Sequence, residues 1–510
     1  MAHPNDSPPS ADEHLERQRM RSVRPADWRN PEPAQRYALV VIGAGTAGLT
    51  AARMAASLGV RVALVERDLL GGTTLNIGPL PSKAIIRTSR TYAEMGHADR
   101  FGGCVPGDIR VDFPRVMRRM RDIRARLSRA DSAQSLTAAG VDVFFGEASF
   151  TGTDALEVDG TTLRFRKALI ATGARPIVPE IPGLAEAGYL TNENAFELNE
   201  APRRLLVIGG GPLGCEMAQA FCRLGVQTSI VQSWPLFLPR EERDAAQILS
   251  DAFARDGLGV RLNTRVLSIH AEAGGKTAEL ITDDYRSSVT VDAILLGTGR
   301  KASVDSLDLG AAGVVHDHEH GVIVDDFLRT SNPRIYAAGD VCLSYKFTDT
   351  AEASARMAVR NALRRGHGRL SRLVIPWCTY TDPEIAHVGM YVREARARGI
   401  SMKTFTVPLH TVHRAIADDE QTGFVKIDVM NHTDRILGAT IVAHHAGEMI
   451  SEITLAMTAG IGLRRLARVI HPYPTQAAAI RIAANACART LAARRPRWLP
   501  GWLRRLARGA

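Results

Sequence analysis

Tyr37-Ala-Leu-Val-Val-Ile42, followed by Gly43-Ala-Gly45-Thr-Ala-Gly48, decides the fold of this chain. The apolar run has strand character and the glycines follow in G-x-G-x-x-G spacing. A small-residue helix comes next, then a second strand, Val60–Val65, ending in Glu66. The first glycine permits a tight turn, and the second lets backbone approach a diphosphate. The third lets the helix pack on the strand, while the helix N-terminus faces the phosphates. Glu66 falls about 20 residues past the middle glycine, where a carboxylate accepts hydrogen bonds from ribose hydroxyls. A lone copy of this pattern is weak evidence. A second copy follows at Leu205–Ile208, Gly209-Gly-Gly211-Pro-Leu-Gly214 and Thr228–Val231, with Gln232 at the position matching Glu66. Two strand–turn–helix units predict an α/β chain with two Rossmann-like dinucleotide-binding domains.

Two later strand ends fit the same plan: Ala168-Leu-Ile-Ala-Thr172-Gly173 and Ala293-Ile-Leu-Leu-Gly-Thr298-Gly299. A third, Ile335-Tyr-Ala-Ala-Gly339-Asp340, places an acid just past a buried strand.

The bulk numbers narrow the class. A chain of 510 residues holds about three domains, and 45% hydrophobic with 23% charged residues is ordinary globular composition. No apolar run approaches the roughly 18 residues of a membrane span. Residues 1–36 have no signal-type apolar core and read as a polar, disordered leader, so a cytoplasmic location is expected by default. The net charge of +10 is Arg-heavy and concentrated at the C-terminal end, where eleven Arg and no Asp or Glu follow Glu452. No nucleic-acid-binding signature accompanies it, so no nucleic-acid partner is expected. The cysteines are Cys104, Cys215, Cys222, Cys342, Cys378 and Cys487. None forms a close pair, so neither a metal site nor a local redox pair is expected, and each reads as a small buried hydrophobe.

Taken in order, these pieces resemble the pyridine nucleotide–disulfide oxidoreductases, the family of dihydrolipoamide dehydrogenase, glutathione reductase and mercuric reductase. The resemblance runs over about residues 37–488. It implies an FAD-binding domain in two parts (37–190 and 319–371), an NAD(P)H-binding domain between them (191–318), and an α+β C-terminal dimerisation domain (372–488). The stretch Ile375-Pro-Trp-Cys-Thr-Tyr-Thr-Asp-Pro383-Glu384 is similar to that domain's opening. Arg435-Ile-Leu-Gly-Ala-Thr and His444-His-Ala-Gly-Glu448 look most like the mercuric-reductase-like branch. A homodimer is implied, with FAD and NAD(P)H as cofactors. Gly43, Gly45, Gly48, Glu66, Gly72, Thr73, Lys83, Thr172, Gly173, Gly339 and Asp340 would bind FAD, with Asp340 suited to a ribityl hydroxyl. Gly209, Gly211, Gly214, Gln232 and Gly299 would serve the nicotinamide nucleotide. An acid at position 232 would argue for NADH and a nearby Arg for NADPH. Gln232 is neither, and Arg240 or Arg243 serves only if its loop folds back, which leaves a slight lean to NADPH.

The resemblance breaks at the signature G-G-x-C-x-N-x-G-C-x-P-S-K, whose two cysteines form the family's active-site disulfide. Here the stretch reads Gly71-Gly72-Thr73-Thr74-Leu75-Asn76-Ile77-Gly78-Pro79-Leu80-Pro81-Ser82-Lys83. Thr74 and Pro79 stand in the cysteine positions, and neither forms a thiolate or a disulfide. The family's C-terminal motif H-x-H-P-T-x-x-E aligns on His471-Pro-Tyr473-Pro474-Thr475-Gln-Ala-Ala478. Tyr473 then takes the place of the base and Ala478 that of its carboxylate. Tyr473 remains able to donate a proton, and His471 is expected to be structural. Lys83 and Glu216 match the pair that meets near the flavin in the family. Pro212 stands where the family often has a gating Tyr, implying a more open nicotinamide pocket.

The expected activity is that of an FAD-dependent NAD(P)H oxidoreductase passing electrons from flavin directly to a small acceptor, for which a quinone fits best. The alternatives are a flavin-dependent tailoring oxidase or reductase of a specialised metabolite, and a non-catalytic flavoprotein sensor or scaffold. Mercuric ion reduction is rejected, because Cys487 is the lone cysteine where a vicinal pair would be needed. Residues 489–510, with seven Arg, Trp498 and Trp502, have a composition suited to peripheral contact with the inner face of an anionic membrane.

Overall fold

The computed structural model describes residues 11–105, 107–364 and 366–493. The described residues divide into two compact units: one holds those through Leu238 together with Phe253–Leu373, the other Pro239–Ala252 and those from Val374.

In the first unit, strand β1 (Tyr37–Ile42) leads through the glycine turn into helix α2 (Thr46–Ser57) and strand β2 (Val62–Glu66). Helices α3 (Gly72–Asn76), α4 (Pro79–Gly96) and α5 (Phe113–Ser128) follow, before β3 (Val141–Phe145) returns to the sheet. Strands β4 (Ala148–Gly152), β5 (Ala155–Val158) and β6 (Thr161–Ile170) extend the sheet to the order β3-β2-β1-β6-β5-β4, and Ile335–Ala337, beside β6, is its seventh strand. The long β6 is shared: its first half pairs antiparallel with β5, its second half parallel with Ile335–Ala337. The remote strand brings Gly339 and Asp340 to the end of the sheet where the glycine turn lies. Parallel strands covered on both faces read as continuous apolar runs, and Leu39, Val40, Val41 and Ile42 are all buried.

The second glycine turn sits in its own parallel sheet, ordered Gly259–Arg261, Gln227–Val231, Arg204–Ile208, Ala293–Leu296. An antiparallel three-stranded layer, Thr264–Val291, packs beside it around Leu206, Ile269, Leu280 and Ile294.

The second unit is a five-stranded sheet of Pro376–Thr379, Glu384–Gly389, Ile436–Ala443, Phe424–Met430 and Met402–Pro408. Helices Ala446–Thr458 and Ala478–Ala493 contribute Met449, Ile453, Ile480 and Ala484 to its core.

Three expectations need correction. Residues 11–36 are not a disordered leader. Helix α1 (Ala11–Val23) packs on α5, with Val23 fully buried and Arg19 only 7% exposed. Pro239–Ala252, placed by sequence inside the nucleotide domain, belongs to the second unit, because Glu241 accepts hydrogen bonds from Trp377 Nε1 (3.1 Å) and Tyr391 OH (2.7 Å). The basic tail does not begin at Arg489, since the helix from Ala478 runs to Ala493. The proposed membrane-contact segment, with Trp498 and Trp502, lies outside the described residues. Among the described residues no helix is long and apolar enough to cross a membrane.

Candidate active site

The two glycine turns are built alike, and each shows why its residues are needed. Gly43 has φ +97, and a Cβ there would meet Ala171 O at 2.5 Å; a Cβ on Gly48 would meet Gly43 O at 1.7 Å. Only glycine meets both conditions. Gly209 (φ +105) and Gly214 repeat them, with the Gly214 Cβ 2.0 Å from Gly209 O. The middle glycines differ. A Cβ on Gly45 would meet only Gly72 Cα at 3.9 Å, and one on Gly211 only Gly297 O at 3.7 Å. The chain's own packing therefore does not require glycine at either position. Each opens a helix, Thr46–Ser57 or Pro212–Arg223, that no side chain caps. Uncapped N–H groups beneath open backbone suit a diphosphate.

At the end of each second strand a side chain binds the turn. Glu66 accepts from Ala44 N (2.6 Å) and Asp68 N (2.8 Å), and Gln232 Oε1 accepts from Gly210 N (2.7 Å). Burial holds the Glu66 carboxyl above its ordinary range, against the pull of those two N–H donors. Thr172 Oγ1 donates to Ser303 O (2.7 Å), and Gly173, Gly299 and Gly339 all take positive φ. Asp340 is pushed up by burial, and Arg300 and Lys346 oppose the shift. This donor set fits a flavin dinucleotide at the first turn and a nicotinamide dinucleotide at the second.

Lys83, on the first turns of α4, places Nζ 2.7 Å from Glu216 Oε2 on the second-module helix Pro212–Arg223. The Glu216 side chain is 4% exposed and that of Lys83 33%. The pair expected from sequence is therefore assembled across the two nucleotide modules.

Thr74 Oγ1 sits between two other hydroxyls, Thr46 Oγ1 at 2.9 Å and Thr348 Oγ1 at 3.0 Å. Both neighbours open helices, Thr46–Ser57 and Thr348–Arg364. Pro79 occupies the first position of α4, where a missing N–H is harmless. Beside them Arg300 donates to Thr73 Oγ1 (3.2 Å) and Ala174 O and lies 3.7 Å from Asp340. Sequence reading missed Arg300, Thr46 and Thr348. Arg300 directly follows the Thr298-Gly299 turn and Thr46 lies within the first glycine motif, so both were open to inference, whereas Thr348 has no motif of its own.

In the second unit Tyr473 is 78% exposed, and its hydroxyl lies 3.1 Å from His413 Nδ1. His471 pairs instead with Glu452 (3.0 Å) and contacts Val469 O. Arg240 and Arg243 also belong to this unit. Arg393 donates to the Arg240 carbonyl, and Arg243 donates to Glu241 O. Among the described residues no cluster of His, Cys, Asp or Glu could hold a metal, and none of the six cysteines is joined in a disulfide.

Two uncapped glycine turns, with a Lys–Glu pair joining their modules, define a protein with two dinucleotide folds. A family model described as pyridine nucleotide-disulphide oxidoreductase matches residues 37–362, and one for that family's dimerisation domain matches 375–484. The chain is 35% identical to a mercuric reductase of Streptomyces lividans over 455 residues, 88% of this chain and 96% of the relative. A dihydrolipoyl dehydrogenase of Chlamydia muridarum is 32% identical over 449 residues, 86% of this chain and 94% of that one. Among solved structures, the HOCl-induced flavoprotein disulfide reductase RclA of Escherichia coli superposes with TM-score 0.78 at 28% identity, covering 88% of this chain and 99% of RclA. LpdA of Mycobacterium tuberculosis gives 0.80 at 28%, covering 89% and 100%. The chain belongs to the pyridine nucleotide-disulphide oxidoreductases. It is an FAD-dependent NAD(P)H oxidoreductase, and its dimerisation domain supports the expected homodimer.

Proposed function

We propose that this oxidoreductase works without a catalytic disulfide, passing electrons from reduced flavin directly to a small diffusible acceptor, with quinones the best-matching class. The observation that carries this reading is the pairing of an intact Lys83–Glu216 contact with Thr74 and Pro79 at the signature's cysteine positions. Bound flavin supplies the hydride-accepting and electron-donating chemistry. Lys83 offers a cation where negative charge develops as hydride arrives, and the buried Glu216 fixes its position. Thr74 spends its hydroxyl on Thr46 and Thr348 and stores no electrons. Mercuric ion reduction, the activity named in several relatives, needs thiolates that these positions lack.

Tyr473 is the proton donor to the acceptor, with its phenol oriented by His413. The accompanying expectation of peripheral membrane contact rests on tail composition alone. For the nicotinamide, Gln232 presents an amide rather than a charge, which favours neither NADH nor NADPH. Rates with NADH and NADPH decide it.

Anaerobic titration of the purified protein tests the main reading. It is expected to take up two electrons per FAD, without a long-wavelength thiolate–flavin band, and then to be reoxidised by quinones in an acceptor screen. Uptake of four electrons would mean that another cysteine pair has assumed the relay.

A further inference from the structure

The family match begins at residue 37, yet the preceding segment is wired into the turn that carries Thr74. Arg19, on α1, donates from Nη1 to Asn76 Oδ1 at 2.7 Å, and Asn76 is the last residue of α3. The amide nitrogen of Asn76 reaches back to Leu70 O and Gly72 O, both at 3.0 Å. Its carbonyl accepts from Arg124 Nη1 at 3.1 Å. Asn76 is 3% exposed, Arg124 1% and Arg19 7%.

Burying two guanidinium groups costs several kcal/mol each unless anions and acceptors compensate. The compensation comes largely from α1. Glu16 binds Arg19 through Nε (2.9 Å) and Nη2, and Arg124 at 3.4 Å, while Glu197 takes the other side of Arg124 at 2.7 Å. Burial alone would raise the Glu16 carboxyl, but hydrogen bonding and charge from Arg19, with the charges of Arg124 and Arg121, hold it below its ordinary range. Further along, Val23 O accepts from Leu70 N at 3.1 Å, and Arg24 binds Asp68 O at 2.8 Å. The segment thus holds both ends of the 67–76 stretch.

We propose that residues 11–24 are a strap that holds the Gly72–Asn76 helix in position by non-covalent contacts, with Arg19 as the positioning residue. In disulfide-bearing relatives the signature's two cysteines tie this turn to the following helix. Here neither position carries a thiol, and the strap supplies the restraint from outside the matched family domain. The inference does not depend on the identity of the electron acceptor.

Hydrogen exchange on the FAD-loaded full chain tests it. Arg19→Leu removes the donor and leaves the Asn76 side-chain oxygen buried without it. The amides of Leu75 and Ile77, bonded to Gly71 O and Thr73 O, should then exchange about tenfold faster or more. Val207 and Ile208, in the second module, should keep their parental rates. The flavin absorbance and fluorescence should shift in the same variant, and Arg19→Lys should restore part of both readouts. Arg19→Leu protein that folds and exchanges across 71–78 within about twofold of the parent overturns the proposal. If that variant does not fold, Glu16→Gln decides. It keeps Arg19 but weakens its compensation, and parental exchange at Leu75 and Ile77 in it overturns the proposal equally.

Discussion

Helices α3 and α4 are consecutive, yet they carry two sides of the site with opposite histories. On α4, Lys83 holds Glu216 at 2.7 Å, with the acid almost wholly buried. On α3, the position of a redox thiol is a threonine whose hydroxyl is absorbed into a chain of three. The first arrangement keeps a charge in place for a reaction. The second satisfies polar groups and leaves nothing to react. A buried carboxylate paired with a lysine is costly to keep for structure alone. On the proposed reading, electrons enter this site from the nicotinamide side, and the route by which they leave is the part that differs from the disulfide-bearing relatives.

The largest expected effect removes both sides together. Gly48→Ala would place a Cβ 1.7 Å from Gly43 O, forcing α2 away from its turn and spoiling the diphosphate cradle. The purified variant should be colourless, with FAD absent from its absorbance spectrum. A yellow Gly48→Ala protein with parental FAD content would show that the first glycine turn is not where the flavin sits. The same substitution at Gly45 meets no clash within the chain, so any loss there reports on the ligand.

Next in size is the electrostatic side alone. Lys83→Ala should slow flavin reduction by NAD(P)H by about 10²–10³, the usual loss for one well-placed electrostatic partner. Glu216→Gln should give a smaller defect of the same kind, because it only positions the lysine. Rapid-mixing absorbance of the oxidised flavin isolates this step from the acceptor. If Lys83→Ala is reduced as fast as the parent, the contrast between α3 and α4 loses its functional meaning, and a non-catalytic flavoprotein becomes the better reading.

Much of this site was legible from sequence because its determinants are local. A glycine turn announces itself within a dozen residues, since the backbone tolerates no alternative at Gly43 and Gly48. Lys83 and Glu216 are distant from each other in sequence but each lies beside a recognisable motif. What escaped reading depends on tertiary partners. Helix α1 has a polar sequence with little apolar periodicity, and it is held by Asp12 and Glu16 meeting Arg118, Arg121 and Arg124 of α5. Read without α5, it looked like a disordered leader. Pro239–Ala252 likewise follows the second nucleotide strand in sequence, but the burial of Glu241 between Trp377 and Tyr391 decides its allegiance.

The smallest expected effect is the one that separates this protein most sharply from disulfide-bearing relatives. Thiol-blocking reagents attack thiolates, and the cysteines here are poorly placed to provide them. Cys215 and Cys487 are buried. Burial, with the nearby charge of Glu216, drives the Cys215 thiol far up, and burial drives Cys342 up as well. Burial and Asp256 push Cys222 up to about 11, and burial with Asp434 does the same for Cys487. Cys104 is exposed, in the stretch between α4 and α5, and should label first. Treatment at neutral pH should therefore leave NAD(P)H-driven quinone or dye reduction within about twofold of the untreated rate, since the proposed route uses no thiolate. Mass spectrometry of the labelled protein identifies the modified residue, and Cys104→Ser removes the exposed cysteine. Loss of activity that persists in Cys104→Ser would mean that one of the shielded thiols opens during turnover and carries electrons after all.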